Sequence, residues 1–495
     1  MAEISILPAV HAFLQRSHGN FIDGAPRAGD AARGLTVVDP ATERSIAQVG
    51  GAGPADIDAA VASARTAFDG AWGSTSPYQR GVLLNRLADL VEAHGEELAQ
   101  LETLCSGKPI HLSRMIDVGQ TAMFLRYYAG WATKISGETM APSLPSMQGE
   151  QYAAFTRREP VGVVAAIVPW NFPLMIGIWK IAAALTTGCT VVVKPSEFTP
   201  LVLLRMADLA VEAGIPAGAF NVVNGAGDVG QALIAHPDVA KVSFTGSSAT
   251  GRKVGQAAMA ANPTRCTLEL GGKNAAVLLA DVNVDGAVAG LMQTGFVHQG
   301  QVCAAPERVF VHRSRLDEVM EKMGGGLSQM TIGSPLDETV QFGPLANKAQ
   351  LDKVLHYLGE ARRQSQLYAG GNRLDRPGYF VEPTLVRATG AGDLLMQEET
   401  FGPIISFLPF DDDEELLRWV NASPYGLSAS VWSNDLSRVM RLIPKLQVGT
   451  VWVNMHTFLD PAVPFGGSKG SGIGREFGSA FIDDYTELKS VIMRY

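Results

Sequence analysis

The chain has 495 residues, of which 46% are hydrophobic, and a net charge of −9, which is length enough for two or three domains with large buried cores. The acidic balance excludes a broad nucleic-acid surface, which needs clustered Lys and Arg, although backbone N–H groups and one or two cations can still hold a phosphate locally. Cys105, Cys189, Cys266 and Cys303 are widely spaced. They form neither a disulfide framework nor a CxxC metal site, so we expect no metal and a reduced, cytoplasmic setting.

The start, "MAEISILPAVHAFLQRSHGNF", lacks a basic segment followed by an apolar one, so no signal peptide is expected. Residues 55–70 and 79–103 carry helical periodicity. In the second, Leu83, Leu87, Leu90, Val91 and Leu98 share one face, interrupted by His94. The segment 151–158, "QYAAFTRR", is β-prone. From about 160 the pattern changes. "VGVVAAIV" is a run without alternation, as a strand buried on both faces requires. There follow a helix (174–187), strand "TVVVKP", a helix (200–213), strand "FNVV", a helix (228–235), strand "KVSFTG", a helix (247–260) and strand "TLEL". The most apolar stretch, "LMIGIWKIAAALTTGCTVVV", is broken by Lys180 and a Thr-Thr-Gly turn, so it reads as a buried helix and strand and not as a membrane span. Alternating strands and helices imply parallel strands joined by right-handed crossovers in an open α/β sheet. Gly271 and Gly272 form a natural hinge. A second alternating series runs from "NAAVLL" (274–279) through "RVFVH", "IISFLPF", "LSASVW" and "TVWVN". The tail "TELKSVIMRY" reads as a terminal strand that, with 151–158, forms an oligomerisation arm. The expected fold class is therefore α/β, with two open parallel-sheet domains and a small β arm.

Two glycine loops are weaker than they look. "GAGDVG" (225–230) matches GxGxxG after a strand, but the acidic residue expected about 20 positions on is missing. "GSSATGRK" (246–253) resembles a P-loop, yet its lysine falls one place late and no Ser or Thr follows, which argues against a nucleotide triphosphatase. What remains is physical: "FTGS" ends a strand and opens a helix, so Thr245, Gly246 and Ser247 are candidates for a pyrophosphate contact. The alternative is plain N-capping by Ser247 or Ser248.

Four polar residues stand at telling places. Asn171 follows "VVAAIVPW", Lys194 ends "TVVVKP", Glu269 ends "TLELGG", and Cys303 lies beyond the hinge in "HQGQVCAAPER". The first three fall at the carboxyl ends of parallel strands, where open α/β sheets bind ligands. A carboxylate flanked by Leu268 and Leu270 should be partly desolvated, with a raised pKa suited to a general base. Singly, each has a plain alternative: Lys194 a solvated strand end, Asn171 a turn residue, Glu269 a cap partner, Cys303 an inert packed thiol. Their joint occurrence favours chemistry.

"PWNFPL", "KPSEFTPL", "FTGSSATG", "LELGGKN", "GQVC", "EETFGPI" and "PFGGSKGSGIGRE" occur in that order over essentially the whole chain. The set resembles the NAD(P)-dependent aldehyde dehydrogenase superfamily. The resemblance implies a Rossmann-like dinucleotide-binding domain (1–137 and 159–270) that lacks the usual glycine fingerprint, a catalytic domain (271–470) and an oligomerisation arm (138–158 and 485–495). It further implies that the Cys303 thiolate attacks the aldehyde. Asn171 and the Cys303 N–H form the oxyanion hole, Glu269 activates the water that hydrolyses the thioester, and Lys180 and Glu476 relay its proton. In the cofactor cleft it implies Glu197 on the adenine-ribose hydroxyls with Lys194 beside it. Trp170 and Ser247 meet the pyrophosphate, Glu399 and Phe401 clamp the nicotinamide ribose, and Gln350 and Lys353 make weaker ribose contacts. Ile167, Pro169, Ser196, Gly227, Gly230, Phe244, Thr245, Gly246, Leu270 and Gly271 complete the walls. Glu197 would repel a 2′-phosphate, so NAD is expected in preference to NADP.

By the same resemblance Phe172, Ile176, Trp179, Val297, Val302, Leu459 and Phe465 line the substrate tunnel. All are apolar and none offers a cation for a charged semialdehyde. A narrower resemblance, in "FLRYYAGWATKISGETM", "TVWVNMHTFLDPAVPFGG" and "TELKSVIMRY" among others, points to bacterial phenylacetaldehyde dehydrogenases. It implies an aromatic aldehyde as substrate and a homotetramer built from dimers, or a homodimer. The alternatives are a betaine-aldehyde, semialdehyde or broad aliphatic aldehyde dehydrogenase. Glu269 argues against acyl transfer to coenzyme A. His298, Pro306 and Glu307 depart from the family pattern, which marks them as places to look for substrate preference beside the nucleophile.

Overall fold

The computed structural model describes residues 5–143, 145, 147–261 and 263–495. In its first sheet five strands run parallel, in the spatial order Phe220–Val222, Thr190–Lys194, Val163–Ile167, Val239–Thr245 and Arg265–Glu269. Every residue of Val163–Ile167 and Thr190–Lys194 is buried, which is why these strands read as unbroken apolar runs: helices cover both faces. The chain enters at Val163–Ile167 and works outward through two strands. It then returns to lay Val239–Thr245 on the other side, with Phe244 paired to Ile167. The strand order therefore reverses between these two strands, and a crevice opens at their carboxyl ends.

The sheet is not parallel to its edges. Asn20–Ile22 and Ala25–Arg27 extend one side as an antiparallel hairpin, and Gly472–Ile473 pairs antiparallel with Leu268 and Glu269 on the other. The second sheet has the order Gln366–Ala369, Thr384–Arg387, Ile404–Phe410, Arg308–His312, Ala275–Leu278, Ser428–Trp432, Thr450–Val453. Only its first strand, Gln366–Ala369, runs antiparallel to its neighbour.

The helix expected over 79–103 is two helices, Pro77–Ala93 and Gly95–Ser106. The break falls at His94, whose Nδ1 lies 2.9 Å from Glu97 Oε2 in the first turn of the second helix. Thr486–Arg494 pairs antiparallel with Tyr152–Pro160, and Thr139–Met140 adds a third strand. Leu488 and Ile492 on that arm are 56% and 67% exposed. Among the described residues no helix is long and apolar enough to cross a membrane.

Candidate active site

The loop that leads to Cys303 is held in a conformation that its sequence would not choose alone. His298, Gln299 and Gly300 all have positive φ, at 46°, 57° and 72°, a region costly for residues other than glycine. Gly300 has a second reason to be glycine: a Cβ there would sit 2.3 Å from the Gly402 carbonyl oxygen. Hydrogen bonds hold the loop. The Gln301 amide donates to the His298 carbonyl at 3.0 Å and accepts from the Ala346 N–H at 3.0 Å. Asn274 donates to the Cys303 and Ala305 carbonyls at 2.7 and 3.0 Å, and His456 Nε2 lies 2.8 Å from the Ala304 carbonyl.

Two cavities reach Cys303, and another shares Pro169, Trp170, Thr245, Gly246 and Ser247 with one of these. The first is the central chamber, lined by Asn171, Ile176, Trp179, Glu269, Cys303, Glu399, Phe401 and Phe465 among others. Burial first, then Glu269 and Glu399, push the Cys303 thiol up to about 12. Asn171 stands just before the buried helix Pro173–Thr187, and one of its amide hydrogens is held by the Gln301 carbonyl at 2.9 Å. Its second N–H remains for an oxyanion. Glu269 ends its strand 6% exposed, with neither carboxylate oxygen partnered among the described residues. Burial, and then the Glu476 charge, raise its pKa well above the usual carboxylate range. Lys180, fully buried in the helix Pro173–Thr187, forms an ion pair with Glu476 at 2.6 Å.

The second cavity is a cleft of about 890 Å³ at the strand-order reversal, within the size range of cofactor sites. Ile167, Pro169, Trp170, Lys194, Ser196, Glu197, Gly227, Gly230, Phe244, Thr245, Gly246 and Ser247 all line it. Leu270, Gly271, Gln350, Lys353, Glu399 and Phe401 line the adjoining chamber. Every expected cofactor residue thus reaches one connected crevice. Ser247 serves both readings of its motif, because its hydroxyl also accepts from the Thr250 N–H at 3.3 Å at the start of the helix Ser248–Ala261. Lys194 Nζ lies 3.8 Å from Glu197, and burial lowers the lysine's pKa. The crevice suits a dinucleotide on its own terms. Thr245 Oγ1 is buried without a partner among the described residues, and a helix N-terminus opens beside it. A Cβ at Gly271 would meet Glu399 at 2.2 Å. Glu399 accepts from the Gly272 N–H at 2.9 Å, and burial, then Glu307, push its carboxyl up to about 7. The Trp170 and Phe401 rings meet edge-on with centroids 5.4 Å apart.

The third cavity is a tunnel of about 640 Å³ reaching Cys303. Phe172, Ile176, Trp179, Val297, Val302, Leu459 and Phe465 line it as expected, and Met115, Ile116, Met175 and Phe296 are walls the sequence reading missed. Met175 shares the helix face of Phe172, Ile176 and Trp179 by i, i+3, i+4 spacing, a signal that was there to find. Among the described residues no Lys or Arg lines the tunnel, although His111, Gln120 and Thr294 do; burial keeps His111 toward its neutral form.

His298 corrects an expectation. It does not line the tunnel: it is fully buried behind Phe172, with ring centroids 5.5 Å apart. Pro306 and Glu307 do not line it either. Glu307 is the positioning group that sequence reading overlooked. It ion-pairs with buried Lys273 and accepts the Thr400 and Phe401 N–H groups at 2.9 and 2.8 Å, fixing the loop that carries Glu399 and Phe401. Among the described residues no group of three His, Cys, Asp or Glu is placed to hold a metal ion.

A cysteine, Cys303, thus stands where the chamber beside the crevice meets a largely apolar tunnel. The chain belongs to the aldehyde dehydrogenase family, whose profile matches residues 27–491. It is 44% identical to phenylacetaldehyde dehydrogenase of Pseudomonas fluorescens, over 99% of this chain and 98% of that one. It is 40% identical to a betaine aldehyde dehydrogenase of Cereibacter sphaeroides, over 96% and 97%. Among solved structures, the NAD+ complex of a Bacillus cereus aldehyde dehydrogenase superposes with a TM-score of 0.96 at 42% identity, over 99% of each chain.

Proposed function

We propose that the enzyme oxidises phenylacetaldehyde, or an uncharged aromatic aldehyde of similar shape, to the carboxylic acid with NAD. The observation that carries this reading is the tunnel: mainly aromatic and aliphatic side chains lead to Cys303, and among the described residues no Lys or Arg lines it. A buried carboxylated substrate would be left unpaired there.

The residues divide the work. Cys303 sulfur adds to the carbonyl carbon, and the charge that develops on oxygen is met by the second Asn171 N–H and the Cys303 backbone N–H. Ile167, Lys194, Glu197, Ser247 and Glu399 would hold the dinucleotide, which when bound supplies the hydride acceptor that turns the Cys303 adduct into a thioester. Glu269, desolvated and of raised pKa, takes a proton from water as that water attacks the thioester. Glu476 and Lys180 then carry the proton away. Glu197, at the far end of the crevice, disfavours a 2′-phosphate, which supports NAD over NADP.

The exposed arm strand Thr486–Arg494, with Leu488 and Ile492 uncovered, supports assembly into dimers and a homotetramer. We place the enzyme in the cytoplasm, on its thiol usage. A second reading rests on the same tunnel: the Phe172, Trp179 and Phe465 rings also suit a quaternary ammonium aldehyde such as betaine aldehyde. NADH formation against a panel of charged and uncharged aldehydes separates the two. A kcat/KM at least about tenfold higher for phenylacetaldehyde than for betaine aldehyde supports the first, and the reverse order supports the second.

A further inference from the structure

Beyond Lys180 the buried hydrogen bonds do not stop. Lys180 Nζ also donates to Ser243 Oγ at 3.2 Å. The Thr267 hydroxyl donates to the same oxygen at 3.3 Å, and Lys241 Nζ donates to Thr267 Oγ1 at 3.1 Å. The strands explain the alignment. Lys241 and Ser243 sit two apart on Val239–Thr245 and so share a face, and Thr267 is the register partner of Ser243 on the neighbouring strand. Lys180, Ser243 and Lys241 are fully buried and Thr267 is 4% exposed. The row ends at Lys241, on which the partly exposed Asp484 is the foremost carboxylate acting through space.

Lys241 is a strange residue to bury for packing alone. Among the described residues it has no ion pair, only the Thr267 bond and the Tyr485 ring 4.6 Å below its ammonium. An unpaired buried ammonium is costly. The charged and titratable groups around it are Asp484 and Tyr485 from Phe481–Tyr485, Lys180 from the helix Pro173–Thr187, Arg265 and Cys266 from the adjacent strand, and Cys189.

We propose that Ser243, Thr267 and Lys241 extend the proton path from Lys180 toward Asp484, so that the proton taken from water at Glu269 leaves toward the amino-terminal end of Val239–Thr245 and not through the substrate tunnel. This rests on the hydrolytic reading above. The transfer balances bond by bond. Outward transfer needs the two hydroxyls turned from the arrangement in which Lys241 and Thr267 donate inward, so that Ser243 donates to Thr267 and Thr267 to the neutral Lys241 amine. Lys180 then gives a proton to Ser243 oxygen, Ser243 gives its own to Thr267 oxygen, and Thr267 gives its own to the Lys241 amine. Lys241 then releases one toward Asp484 and solvent, while Glu476 reprotonates Lys180. Burial pushes Lys241 down to about 8, so the neutral amine that the last hop requires is accessible near physiological pH. None of the three touches substrate or cofactor; they are positioning residues for the proton.

The test mixes enzyme, NAD and phenylacetaldehyde in a stopped-flow instrument with a pH indicator, following NADH and released protons together. Thr267→Val removes the shared hydroxyl, Thr267→Ser restores it, and Lys241→Arg keeps the charge but cannot give up its proton. We expect Thr267→Val and Lys241→Arg to keep the NADH burst while proton release slows about tenfold, with Thr267→Ser close to the parent enzyme. In the parent the hydrolysis rate should follow a group titrating near 8, a limb that Lys241→Arg loses. Proton release at the parent rate in both Thr267→Val and Lys241→Arg overturns the path. Absence of NADH from the parent enzyme with every aldehyde tried overturns the functional reading, and the path with it.

Discussion

Glu269 and Cys303 line one chamber, and the carboxylate of the first opposes ionisation of the second. Burial is the larger cause and Glu269 the next. Without cofactor, Cys303 should therefore react slowly with iodoacetamide at pH 7 and faster as the pH rises toward 10, because the thiolate is the reacting form. Glu269→Gln should speed labelling at pH 9 by about threefold or more, read from the Cys303 peptide by mass spectrometry. A labelling rate already at its plateau at pH 7 contradicts this.

Glu399 gives a pH-dependent stability prediction. Its folded carboxyl is raised from 4.5 to about 7. The folded protein then holds the proton that the unfolded chain has lost, so stability falls as pH rises from about 4.5 to 7 and the cost persists above. Glu399→Gln keeps an oxygen for the Gly272 N–H and removes that cost. We expect it to gain about 1–2 kcal/mol at pH 8, discounted because the carboxyl borders an open crevice, and nothing at pH 4.5. Equal melting temperatures for parent and variant at pH 8 contradict the assignment.

Gly300→Ala should damage both fold and activity. It places a methyl 2.3 Å from the Gly402 carbonyl at a φ of 72°, a cost of about 3 kcal/mol or more. Gly359, in the helix Lys348–Gln364, has open space where a Cβ would go, so Gly359→Ala should be neutral or stabilise by about 0.5–1 kcal/mol. Differential scanning calorimetry of the pair checks the contrast.

Glu197→Ser should relax cofactor choice. Removing the carboxylate beside Lys194 leaves a cation free to meet a 2′-phosphate, so the kcat/KM ratio of NADP to NAD should rise about tenfold or more. An unchanged ratio argues that discrimination lies elsewhere in the crevice.

The parts legible in the sequence are those where burial writes a pattern. Val163–Ile167 and Thr190–Lys194 are buried on both faces and show as apolar runs, so a polar residue at their ends, such as Lys194, stands out. Glu269 stands out in the same way at the end of Arg265–Glu269. Gly472–Ile473 is two residues long and pairs only because the chain returns from far away, so nothing local marks it. Met115 and Ile116 reach the tunnel from a segment more than 50 residues upstream of Phe172. His298 and Glu307 looked like pocket residues because they flank Cys303 in sequence. Reversed backbone at 298–300 turns His298 inward, and Glu307 is drawn to Lys273 and the N–H groups of Thr400 and Phe401. Adjacency in sequence is not adjacency in the tunnel.

The central claim is that Cys303 carries the acyl group and Glu269 discharges it. Rapid mixing of Glu269→Gln enzyme with NAD and phenylacetaldehyde tests it most directly. The account predicts a burst of about one NADH per Cys303 followed by turnover slowed about a hundredfold or more, with no NADH from Cys303→Ala. Steady turnover by Cys303→Ala, or Glu269→Gln enzyme with no burst at all, would contradict it.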